Sequence, residues 1–193
     1  INFAHGDIFM MATYFAFFGI VTFGIPRYIT FPVILIITAL LGMTVEATAY
    51  RPLRDAPKIS ILISAIGASF LLENLAIVLF GGVPKPFPTP EVFTDVVKIG
   101  TVSIQKLTFY IPVVTIVFLV GLTYLINKTK VGMAMRALSK DHETARVMGV
   151  NVNQIISLTF GIGSMLAAVG GIMWGLKFPQ ISPLMGVIPG MKC

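Results

Sequence analysis

Charge is what this sequence has least of. Acidic and basic residues fill only 11% of its 193 positions, where a soluble domain carries about 25%, so the chain cannot cover a water-facing surface. It reads as an integral membrane protein. Cysteine is nearly missing as well: Cys193 stands alone, which excludes an internal disulfide framework and a thiolate metal cluster. There is no Gly-rich phosphate loop ending in Lys-Ser or Lys-Thr, no HExxH, no His/Cys cluster and no nucleophile elbow. Asp141, His142 and Glu143 are adjacent titratable groups, but neighbours on a helix point about 100 degrees apart and cannot converge on one substrate atom. Neither catalysis nor a cofactor is expected of this chain. Three classes remain: a transporter subunit energised elsewhere, a self-contained channel or facilitator, and a membrane scaffold.

What the sequence has in abundance is long apolar runs. A helix needs about 20 mostly apolar residues to cross the hydrocarbon core. The runs that qualify are 8 to 25, 29 to 49, 59 to 80, 109 to 127 and 155 to 176, predicting an all-α polytopic bundle of about five spanning helices. The first two are joined through Pro26 and Arg27 as a helical hairpin. Ile1 opens directly on an apolar run with no basic n-region or small-residue cleavage site, so no signal peptide is expected. The chain is read as an internal piece of one transmembrane domain, 1 to 193, incomplete at both ends.

The net charge of +6 would point to nucleic acid in a soluble chain, but here the basic residues are divided among short loops. There they set topology and favour anionic lipid headgroups; no nucleic-acid partner is expected. Loops 50 to 58 and 128 to 154 carry Arg51, Arg54, Lys58, Lys128, Lys130, Arg136, Lys140 and Arg146, against Arg27, Lys85, Lys98, Lys106, Lys177 and Lys192 opposite. The density in the nine-residue loop 50 to 58 puts both of those loops, with the N-terminus, in the cytoplasm. Residues 81 to 108 then form an external loop, whose prolines and alternating "VVKIGTVSI" predict a turn and a small hairpin.

Small residues recur every four positions in the last run, at Gly163, Ala167, Gly171 and Gly175, which lets another backbone approach one helix face. That neighbour is either a helix of the same subunit or a second subunit. Ser60, Ser64 and Ala68 repeat the spacing more weakly. Of the polar groups inside the runs, Glu46 lies where it can snorkel or pair with Arg51 or Arg54. Glu73, with Asn74 beside it, sits about 21 Å into its helix, so its carboxylate must face protein or a water-filled cavity. The pair either lines a pathway or fixes helix packing. Asn2, His5 and Asp7 precede the first run, and Asp7 is the expected cap of its helix at the membrane edge.

Residues 128 to 154 change character. Val131, Met135 and Leu138 give a short helix one apolar stripe, with Arg136 and Lys140 elsewhere on its surface. A second helix of about two turns follows, with Asp141 as N-cap, Glu143 in the first turn and Gly149 as the stop. Such a segment either rests on headgroups or meets a peripheral partner. Ala145 and Met148, beside Arg146 and Glu143, suit a protein groove.

The stretches "INFAHGD", "AYRPLRDAPK", "LISAIG", "VGMAMRALSKDHETARVMGVNVNQIISLTFGIG" and "GVIPGMK" resemble, in the same order, the membrane permease subunit of branched-chain amino acid ABC transporters. The resemblance implies a second permease subunit, two cytoplasmic ATP-binding subunits and a periplasmic or extracellular substrate-binding protein. It also implies an inner-membrane location and makes 128 to 154 the coupling segment. Glu143, Thr144, Ala145 and Gly149 resemble the Glu-Ala-Ala and Gly pattern that such importers carry there, with Thr144 in place of the middle Ala. Arg136, Asp141 and Arg146 complete the expected ATPase-coupling set. Related permeases carrying amides or urea are the alternative within the same family.

Overall fold

The computed structural model describes residues 4–54, 56–90, 93, 95–99 and 102–191. Five helices among them are long and apolar enough to cross a membrane: α1 (Ala4–Val21), α2 (Arg27–Val45), α3 (Lys58–Phe80), α4 (Leu107–Lys128) and α7 (Val152–Lys177). The protein is an all-α polytopic bundle, and each helix lies within a few residues of the apolar run that predicts it. The short helices α5 (Lys130–Lys140) and α6 (His142–Val147) link α4 to α7, and α8 (Val187–Met191) closes the described chain. Past Val45, α2 continues through a π turn at Glu46–Tyr50 and a 3-10 turn at Arg51–Leu53.

Composition explains why α1 lies at the centre. Its sequence is apolar all round, as a helix surrounded by others must be, and Ile8, Met10, Met11, Tyr14 and Ala16 are all buried. Gly24, at φ +62°, makes the turn into α2. Beneath it the buried Thr30 donates its hydroxyl to the Ile25 and Pro26 carbonyls, each at 3.1 Å.

Small residues bring α7 against two neighbours. A Cβ on Gly171 would lie 2.5 Å from the Phe9 carbonyl oxygen, and one on Gly175 3.0 Å from Thr13 Cγ2. The expected stripe therefore packs α7 onto α1 inside this chain, with Ala167 buried in the seam and Gly163 beside His5. A second small-residue face meets α2: a Cβ on Gly42 would stand 1.8 Å from Ser164 Oγ. On α3 the weaker stripe reaches the π turn, where Ser64 Oγ donates to the Ala49 carbonyl at 2.7 Å.

The short strands lie beyond the helix ends. β1 (Lys85–Pro86) pairs antiparallel with β4 (Gln180–Ile181). β2 (Val96–Ile99) pairs antiparallel with β3 (Val102–Gln105), Val96 opposite Gln105, which is the hairpin that the alternation predicts. An ion pair of 2.7 Å between Lys106 Nζ and Asp95 Oδ2 closes its base.

The depth of α1 differs from expectation. Asp7 meets Ser69, midway along α3, and His5 lies against Gly163, midway along α7. Tyr14 stacks on Phe80 at the far end of α3, with ring centroids 4.8 Å apart. The first described turn of α1 thus sits at mid-depth, not level with the 50–58 loop, and Asp7 is not a membrane-edge cap. The helix already begins at Ala4, so Asp7 falls within its first turn. Asn2 lies outside the described residues.

Candidate functional site

Two sites emerge, one at mid-depth and one at the end of the bundle where α2 finishes and α7 begins. At mid-depth, α1 and the segment leading into α8 cross backbone to backbone. A Cβ on Gly6 would lie 2.1 Å from the Gly186 carbonyl oxygen and 2.6 Å from Gly190 Cα; one on Gly186 would lie 2.3 Å from the Gly6 carbonyl oxygen. After α7 ends, the chain therefore turns back to half-depth. Irregular backbone is tolerated there only when protein or an aqueous cavity surrounds it, and Gly186, Ile181 and Pro183 are buried. Residues 4–7 of "INFAHGD" and 186–191 of "GVIPGMK", far apart in the sequence, form this one junction.

Beside the crossing, the buried Asp7 carboxylate accepts a hydrogen bond from Ser69 Oγ. Glu73, one turn along α3, brings a second carboxylate within electrostatic range of Asp7. Asn74 does not join them. It is exposed, and its Nδ2 donates to the Phe70 carbonyl of its own helix at 2.8 Å. The adjacent pair is thereby split, with Glu73 toward the Asp7 cluster and Asn74 away from it. Replacing Ser69 by alanine leaves the buried carboxylate without its hydroxyl donor. The expected cost is about 1–3 kcal/mol, read as a lowered thermal midpoint in detergent.

At the other site, Thr129 caps α5 by accepting from Gly132 N at 3.1 Å. A Cβ on Gly132 would lie 2.2 Å from the Ile126 carbonyl oxygen, so α5 folds tightly back on α4. The predicted stripe turns inward, Leu138 buried and Val131 and Met135 half-buried. Arg136 is exposed, its Nη1 donating to Asn127 Oδ1 at 3.0 Å.

Asp141 is the N-cap of α6, accepting from Glu143 N at 2.9 Å, from Thr144 N at 3.3 Å and from the Thr144 hydroxyl. The Thr144 hydroxyl first, and then the two backbone N–H groups, hold this carboxyl below the usual carboxylate range. Gly149, at φ +84°, ends the helix, and Val150 N returns to the Ala145 carbonyl at 3.1 Å. Ala145 departs from the expected knob: at 3% exposure it faces the chain's own interior, while Val147 and Met148 are 87% and 79% exposed. The projecting surface is Val147 and Met148, with Glu143 and Arg146 exposed around them.

Just beneath lies a network that the sequence discloses only in part. Glu46, wholly buried, pairs with Arg51 at 3.1 Å and with Arg54. Ser157 of α7 donates to Glu46 Oε2 at 2.5 Å and accepts from Arg51 Nη2 at 2.7 Å. Arg54 Nη1 also reaches Asn153 Oδ1 at 2.5 Å. The loop "AYRPLR" therefore ties the end of α2 to the first turns of α7, directly after the capped helix α6.

The sequence family described as branched-chain amino acid transport system, permease component, matches residues 1–193. The high-affinity branched-chain amino acid transport system permease protein BraD of Pseudomonas aeruginosa is 35% identical over 204 residues, covering 100% of this chain and 66% of its own length. The permease protein LivH of Escherichia coli, of the same description, is 33% identical over 205 residues with the same coverage. The ribose import permease protein RbsC of Haemophilus influenzae is 24% identical over 169 residues, covering 88% of this chain and 50% of its own. The chain thus spans a little under two thirds of the length of the first two relatives. No solved structure matches it.

Proposed function

Because this chain belongs to the family of branched-chain amino acid transport system permease components, we propose that it forms part of the transmembrane path of an ABC importer for branched-chain or related amino acids. It works with a second permease subunit and is energised by two ATP-binding subunits that dock on α6. A substrate-binding protein delivers solute on the face of β2 and β3. In this reading the Arg-rich loop 50–58 and the segment 128–154 lie in the cytoplasm, and the membrane is the cell's inner membrane.

The observation that carries the proposal is α6 itself. A six-residue helix alone is too short to be stable in water, yet this one is capped at both ends and anchored through Ala145. It presents Val147 and Met148 in a loop that water would otherwise fill, and a chain without a phosphate loop needs such a contact to receive work from elsewhere. Closure of the ATP-binding subunits would press on α6, and α7, which begins a few residues later, would carry the displacement into the bundle. The docked subunits shift the equilibrium between inward and outward states only if they meet α6 differently in each.

Met148→Asp, and separately Arg146→Glu, are expected to leave assembly and thermal stability unchanged. Substrate-stimulated ATP hydrolysis by the assembled complex should fall about tenfold or more, as for loss of a central contact. Undiminished stimulation in both variants would reject α6 as the coupling element. Uptake of labelled leucine, with competing amino acids, amides, urea and pentoses, identifies the solute class.

A further inference from the structure

Between α4 and α7 lies an apolar groove of about 400 Å³ that the proposed transport role leaves unused. On α4 it is lined by Ile111, Thr115, Phe118 and Leu122, and on α7 by Leu166, Met173 and Lys177. Each set spans twelve residues, about 16 Å of helix from first to last. Half of a hydrocarbon core of about 30 Å is almost the same length.

Leu166 lies midway along α7 and Lys177 at its end, so the groove runs from the membrane midplane to one surface, on the side of β2 and β3. At the far end of α4, α5 packs against both α4 and α7. A transmembrane helix from another chain would not stop at the midplane.

The open end is cationic. Lys177 Nζ donates to Thr108 Oγ1 at 2.9 Å, which leaves two of its three N–H donors free. No carboxylate pairs with it among the described residues. Trp174, one turn below, and Phe178 complete the mouth, where aromatic side chains sit at the headgroup level.

We propose that this groove binds one phospholipid of that leaflet, an acyl chain lying between α4 and α7 and the phosphate on Lys177. Trp174 is the chain's only tryptophan and lines the groove, so it reports occupancy directly. The assembled transporter is reconstituted in lipid brominated near the headgroup end of the acyl chains. The Trp174 signal is taken as the difference from Trp174→Phe.

Loss of the Trp174 emission in brominated lipid is expected, with recovery when Thr115→Phe on α4 or Val169→Phe on α7 fills the groove. An anionic phosphatidylglycerol should quench about fivefold more effectively than phosphatidylcholine, given the attraction of one lysine for an anionic headgroup. That preference should vanish in Lys177→Gln. Emission untouched by brominated lipid would mean that protein covers the groove and would overturn the proposal. Equal quenching in both filled variants would mean contact with bulk lipid only, and would overturn it too. A headgroup preference that survives Lys177→Gln would overturn the assignment of the phosphate.

Discussion

Gly6→Ala is expected to reduce uptake by the assembled permease at least tenfold and to lower its thermal midpoint, although only one methyl group is added. That methyl carbon would stand 2.1 Å from the Gly186 carbonyl oxygen and within 2.7 Å of Gly190 N and Cα. All of these are backbone atoms, so no side chain can rotate away. Either α1 or the returning segment must move by about 1 Å, and forcing atoms into a packed site costs about 1–3 kcal/mol. Gly186→Ala meets the same obstacle from the other side, 2.3 Å from the Gly6 carbonyl, so combining the two should not restore function. Gly67→Ala is the matched control. It lies within α3 with nothing within 4 Å of the added carbon, and helix propensity favours alanine there by up to about 1 kcal/mol. Uptake in vesicles and unfolding in detergent, measured on the three variants together, test the crossing; wild-type behaviour of Gly6→Ala in both would disprove it.

What was readable before the structure follows from the range of each interaction. Helix ends emerged within a few residues because hydropathy is a local property, and the caps Asp141 and Gly149 because capping acts within one turn. Glu46 could be matched to Arg51 and Arg54 because five and eight residues separate them. Ser157 could not be added: it lies 111 positions away, and an isolated serine in an apolar helix carries no mark of its partner. Asp7 departs from the cap expected of it for the same reason. Aspartate before an apolar run suits a cap, and only the packing of α1 on α3 reveals the donor 62 positions on.

The depth of α1 has no counterpart in hydropathy, which measures length and not level. The inward turn of Ala145 was equally hidden, since six residues are too few for a period to select a face. One signal of the crossing is nevertheless local. Gly186 and Gly190 repeat at four-residue spacing, the pattern that marked α7 as a close-packing helix, and here it marks the surface that receives Gly6.

Glu46→Ala is expected to lose about 3 kcal/mol in stability, because it strands two guanidinium groups. Removing one member of a buried ion pair costs about 3–5 kcal/mol. The lower end applies because the Arg51 and Arg54 side chains are 43% and 22% exposed and can be partly rehydrated. Ser157 would lose an acceptor as well, so the whole tie between α2 and α7 loosens. If α6 receives force from an ATP-binding subunit, this tie keeps α2 moving with α7, and its loss should weaken substrate-stimulated ATP hydrolysis more than basal hydrolysis. Stability and coupling separate in a triple variant, Glu46→Met with Arg51→Met and Arg54→Met, in which no charge is left unpaired. Replacing a whole buried ion cluster by apolar residues is often close to neutral, so the thermal midpoint should largely recover. Coupling should not, because no directed bond then joins the 50–58 loop to Asn153 and Ser157. Recovery of both would reduce the network to a matter of stability; a single Glu46→Ala variant that unfolds like the parent would refute the burial argument itself.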